Sequence, residues 1–201
     1  MIRVHATKKL LAKLPFEEGG SLPHHQNRLT YQGADSPRHF SGWHANLLIL
    51  QRRNCILLVH DDTRFPVFIP ALTKPDFAAL NDRFCDAFMN TLLKCGADDT
   101  QMQKAADHLA PLSVDTDCDR SVQGTMNQAG QDLRYIIDER VNIAEMTGYR
   151  LSTWLAQRPC MVKGRKDTVW PVAEMFSLID ALPNTMTAEV IDISSGRPYC
   201  S

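Results

Sequence analysis

Three apolar runs, Trp43 to Leu50, Cys55 to His60 and Phe65 to Ile69, are separated only by Gln51-Arg-Arg-Asn54 and Asp61-Asp-Thr-Arg64. Apolar runs of this length joined by short polar turns are strands in hairpins, so the spacing predicts an antiparallel meander. Leu47-Leu-Ile-Leu50 and Ile56-Leu-Leu-Val59 are apolar at successive positions instead of alternating. A strand wet on one side alternates, so these two are expected to be central in the sheet or covered on both faces. Pro66 and Pro70 donate no ladder hydrogen bond, which places the third strand at an edge.

Around this meander the periodicity changes to that of helices. Thr73-Lys-Pro-Asp76 carries an N-cap, a proline in the first turn and an acid at the positive end of the helix dipole. Phe77, Leu80, Phe84, Phe88, Leu92 and Cys95 then recur at helical spacing until Gly96. A shorter helix is expected over 99–109 and a returning strand over 111–114. A long helix over 119–139 buries Val122, Met126, Leu133 and Ile137. Ile2 and Val4 suit a short strand ahead of a helix over 8–14. Residues 152–157 and 171–182 suit two more helices, and 160–163 a strand. The expected fold is therefore a single α+β domain over 1–182, mainly an antiparallel sheet packed against two long helices that cover one face. Residues 17–41 read as a long loop and 183–201 as a loose tail.

The 201 residues are 44% hydrophobic and carry a formal charge of −1, so any argument for a charged partner has to be local. Six cysteines without a Cys-x-x-Cys pair read as reduced thiols, and no apolar run is long enough for a leader or a membrane span. A soluble cytoplasmic protein without a membrane role is expected.

Three groups of residues could carry chemistry. Asp115, Asp117 and Asp119 alternate, so an extended chain would put all three carboxylates on one side; Asp119 or Asp117 also suits a helix cap. With His60 and Asp61 at the end of the second meander strand, Asp115 and Asp117 could hold Mg²⁺ and activate water. Cys118 between two acids is a poor thiolate. The second group, Arg120, Gly124, Asn127 and Gln131, falls on one stripe of the 119–139 helix, with an interior glycine that invites close approach. The third is basic: the segment from Arg150 to Lys166 holds Arg150, Arg158, Lys163, Arg165 and Lys166 with no acid and is accompanied by Trp154 and Trp170, whereas 73–119 holds nine acids against four bases. Basic and aromatic residues together suit a nucleic acid backbone or an acidic protein surface, including the chain's own.

The segments Met1-Ile-Arg-Val-His-Ala-Thr-Lys-Lys-Leu10, Leu58-Val-His-Asp61 and Arg120-Ser-Val-Gln-Gly-Thr-Met-Asn-Gln128 resemble an uncharacterised bacterial family built on a domain of unknown function. The resemblance spans about residues 1–180. It implies a small cytosolic bacterial protein with no assigned reaction and assigns no catalytic residue.

The leading expectation is a non-enzymatic binding or regulatory module for a protein or nucleic-acid partner, using Arg120, Gly124, Asn127, Gln131, Arg158, Lys163 and Arg165, with no cofactor. The alternative is a metal-dependent hydrolase or nuclease using His60, Asp61, Asp115 and Asp117 with Mg²⁺. A small-molecule sensor with residues 17–41 as a lid is a third.

Overall fold

The computed structural model describes residues 1–16, 22, 38–137, 142–162 and 164–183. Its five strands are β1 (Ile2–Ala6), β2 (Gly42–Leu50), β3 (Arg53–His60), β4 (Pro66–Leu72) and β5 (Leu112–Asp115), in the spatial order β4-β3-β2-β1-β5. The meander β2-β3-β4 is antiparallel, with Trp43 opposite His60 and Leu47 opposite Ile56. The two prolines of β4 lie on the edge strand, where their missing N–H groups break no ladder. β1 is parallel to both β2 and β5, so the sheet is mixed and mostly antiparallel.

Helices cover both faces of this sheet, which corrects the expectation of one covered face. The reason lies in β3, whose side chains from Cys55 to Val59 alternate between faces and are all buried. The first face takes α1 (Lys8–Leu11), α2 (Arg38–Ser41), α3 (Lys74–Ala78), α4 (Leu80–Cys95), α5 (Asp99–His108) and α8 (Pro171–Asp180). At its centre Trp43 meets Phe84 and Phe88 edge to face at 5.1 and 5.5 Å. The second face takes α6 (Arg120–Ile136), whose Val122, Met126 and Leu133 pack with Leu48, Leu57 and Val59. α7 (Tyr149–Ala156) adds Leu151 and Leu155 to that second core.

α7 also protects the sheet edge. The Phe68 N–H of β4 donates to Ser152 Oγ at 2.9 Å, giving an edge amide a partner inside the chain. Gly148 opens this helix at φ +82°, where a Cβ would lie 2.4 Å from the Phe68 carbonyl oxygen, so both the backbone angle and the close approach require glycine.

Several local expectations change. The helix foreseen from Thr73 to Gly96 is two, because Ala79 leaves the helical region at φ −94° and ψ 24°. The strand foreseen at 160–163 is a single antiparallel bridge between Cys160 and Val169. The loop over 17–41 lies almost wholly outside the described residues, apart from Leu22 and α2, and so does the tail beyond 183.

Candidate functional site

Ile2, Val4 and Ala6 of β1 and Trp43 and Ala45 of β2 enter the first core. Their alternating neighbours His5, Gly42 and His44 therefore face the other side, under the start of α6. Here β1 and β5 run parallel side by side, yet the chain leaving β1 enters α1 on the first face and the chain leaving β5 enters α6 on the second. Adjacent parallel strands that leave for opposite faces create a crevice at their carboxyl ends, the usual place for a ligand in such sheets.

Two histidines and two carboxylates meet in this crevice. His5 Nδ1 lies 2.5 Å from Asp115 Oδ1, and its Nε2 lies 3.5 Å from Asp61 Oδ2. His44 Nδ1 lies 2.6 Å from Asp61 Oδ1, while its Nε2 accepts the Asp119 backbone N–H at 2.6 Å. An imidazole nitrogen that accepts carries no proton, so the His44 proton sits on Nδ1 and is donated to Asp61. Gly42 makes room for this: a Cβ there would come 2.4 Å from Asp61 Oδ2.

The next link is the cap of α6. The Asp119 carboxylate accepts the Ser121 and Val122 N–H groups at 2.7 and 3.1 Å. These backbone bonds, Val122 first, hold the Asp119 carboxyl below the usual carboxylate range. The chain Asp115–His5–Asp61–His44–Asp119 thus ties β5, β1, the β3–β4 turn and β2 to the first turn of α6. Both nitrogens of each ring thus face a partner within the chain.

The β3–β4 turn also carries Arg64, at φ +61° and 7% exposed. Its guanidinium donates through Nη1 to the Asp61 carbonyl and through Nη2 to Ser121 Oγ at 3.3 Å. Its Nε is buried without a hydrogen-bond partner. Burial, with Arg165 nearby, pushes the Arg64 guanidinium below its ordinary value. Arg64 stands between two cavities: an open one of about 460 Å³ with His44, Asp61 and Arg165, and one of about 340 Å³ between α6 and the segment following α7.

The foreseen residues separate accordingly. Asp61 and Asp115 come together through His5. His60 points to the opposite face, 5.0 Å from the Trp43 ring, with Thr63 on its Nδ1. Asp117 turns away, its N–H donating back to Asp115 Oδ1 at 3.0 Å. Because the strand ends at Asp115 and Asp119 starts a helix, the three alternating acids do not share one side. Among the described residues, no group of three His, Cys, Asp or Glu side chains is arranged to hold a metal ion. Burial pushes the Cys118 thiol up, with Asp115, Asp117 and Asp61 acting in the same direction.

Arg120, Gly124, Asn127 and Gln131 are exposed along α6, and Gly124 lines the smaller cavity. Arg158 also lines it, paired with Asp132 at 2.6 Å and lying 4.5 Å above the Trp154 ring. Arg165 reaches Glu174 at 3.8 Å and the Asp62 carbonyl at 3.1 Å, and Lys163 lies outside the described residues. His5, His44, Arg64 and Ser121 were not foreseen. The histidines stand at strand positions of one parity, but only the parallel register of β1 and β2 places them side by side.

Among the described residues no helix is long and apolar enough to cross a membrane. No curated protein and no solved structure matches the chain. A family model does match, over residues 3–174, and the chain belongs to that family, the domain of unknown function DUF6933.

Proposed function

We propose that the chain is a non-enzymatic binding module of the bacterial cytoplasm that docks a protein partner on the face formed by α6, α7 and the segment leading into α8. The observation that carries this reading is a set of large side chains left in water there: Tyr135 at 90% exposure, Met161 at 74%, Trp170 at 53% and Trp154 at 38%. Met161 lines the smaller cavity, Trp170 precedes the cavity residue Pro171, and Trp154 lies beneath the cavity residue Arg158. Trp, Tyr, Met and Arg are the residues that interface centres use.

The charges on this face favour protein over nucleic acid. Binding a phosphate backbone draws on cations free to replace counterions. Arg158 and Arg165 already face Asp132 and Glu174, so two cations of this basic segment are engaged within the chain itself. Hydrolysis with Mg²⁺ has the approach of Asp61 and Asp115 in its favour, but it needs carboxylates free for a hard cation, and each of these already faces an imidazole.

A photo-crosslinking residue placed at Trp170, or at Trp154, in bacterial cells tests the reading. A discrete protein adduct at these sites, absent from a control site at Ile49, is expected. Crosslinks to nucleic acid alone, or none, would overturn it.

A further inference from the structure

Arg64 sets a problem that docking on the surface does not solve. A guanidinium is charged at every physiological pH, and taking one out of water is costly unless an anion or a full set of acceptors meets it. Arg64 is 7% exposed, and among the described residues no carboxylate lies within ion-pair distance. Asp61 and Asp119 act on it only through space, since its bonds go to the Asp61 carbonyl and the Ser121 hydroxyl. Two of its five donors are used and its Nε has no partner.

The space beside it has the form of a receptor for a small molecule. The cavity of about 340 Å³ has Arg64 in one wall and apolar Leu155, Pro159 and Pro171 in others. It lies at the lower end of small-molecule pocket sizes, and its lining mixes apolar side chains with polar ones, among them Arg158, whose charge is already met by Asp132. Thr125 and Gln128 of α6 add a hydroxyl and an amide. Gly124 leaves that wall bare, with no atom within 4 Å of where its Cβ would be.

We propose that this cavity binds a small molecule carrying one oxyanion, carboxylate or phosphate, on a compact apolar body, with the anion on Arg64 and the body between α6 and the Pro159 to Pro171 segment. A fork of guanidinium donors matches the oxygens of either anion, and the buried setting strengthens the pairing. This goes beyond the docking reading and does not depend on it, because the ligand is held by Arg64 and the walls of the cavity and needs no partner.

Calorimetric titration of the full chain with phenyl phosphate, benzoate and inorganic phosphate tests the inference. One of the two aryl anions is expected to saturate a single site at least tenfold more tightly than inorganic phosphate. Preference between benzoate and phenyl phosphate assigns the anion as carboxylate or phosphate. Arg64→Lys keeps the charge but loses the fork, and should weaken binding tenfold or more. Gly124→Leu, which fills the bare wall from a helical position, should abolish binding while the circular dichroism spectrum stays that of the wild type. Should Arg64→Lys not fold, Gly124→Leu decides. No saturable binding of either aryl anion, or undiminished binding by a folded Gly124→Leu chain, would overturn the proposal; crosslinking at Trp170 reports separately on the docking face.

Discussion

The same three central strands present two unlike faces. On one, Trp43, Phe65, Phe84 and Phe88 interlock with aliphatic side chains from β1, β2 and β3. On the other, Leu48, Leu57 and Val59 give way, toward β1 and β5, to His5, His44, Asp61 and Asp115. Aliphatic side chains would fill that area with less desolvation cost than imidazoles and carboxylates. The first face therefore carries stability, and the second gives some of it up to hold a polar crevice beside Arg64.

Truncating the first face should produce the largest effect. Phe88 contacts four rings, those of Phe40, Trp43, Phe65 and Phe84. Phe88→Ala should lower unfolding free energy by about 3–5 kcal/mol in urea titration. A loss below about 1 kcal/mol would remove the contrast between the faces.

Gly42→Ala probes the second face. Its methyl group would displace the Asp61 carboxylate from His44 and His5, at a cost of about 1–3 kcal/mol in stranded hydrogen bonds. Loss of the His44 Nδ1 proton resonance should accompany it; an unchanged resonance would mean that the carboxylate has room elsewhere.

Asp119→Ala should cost about 1 kcal/mol, the usual worth of an N-cap. The pH dependence has a definite sign. The folded Asp119 carboxyl lies below its ordinary value, so its contribution is complete above the unfolded value and declines as pH falls through the folded one. Wild type and variant should therefore converge in stability below about pH 4, the range of unperturbed Asp side chains. A gap that persisted in acid would assign the effect to lost packing.

The smallest effect has the opposite sign. Gly124→Ala should stabilise α6 by about 0.5–1 kcal/mol, since alanine favours helix and its methyl meets nothing. A thermal melt would show it, and destabilisation would mean that this stretch of α6 needs glycine for its backbone.

Much of the fold was legible because it rests on local patterns. The doubled apolar runs of β2 and β3, the prolines of β4 and the spacing of Phe84, Phe88 and Leu92 each announce an element within a few residues. The long-range register was not legible. Nothing near His5 says that it pairs with His44 on one side and Asp115 on the other. Within the acidic run Asp119 caps α6 and Asp115 faces His5, and the change from strand to helix separates carboxylates that strict alternation would have kept together. Arg64 carries no signal in the sequence, because an arginine in a polar turn ordinarily lies in water; here it is buried, with Ser121 of α6 on its guanidinium.

The parallel pairing of β1 with β5 also bears on how the molecule comes into being. Strands β2 to β4 are neighbours in sequence and can pair as each leaves the ribosome, whereas His5 must wait for Asp115, 110 residues further along the chain. Contacts of such long range close late, after the loop entropy has been paid. The hairpins and their aromatic core can thus exist before the crevice does, and until β5 arrives the flank of β1 offers open backbone to any other strand nearby.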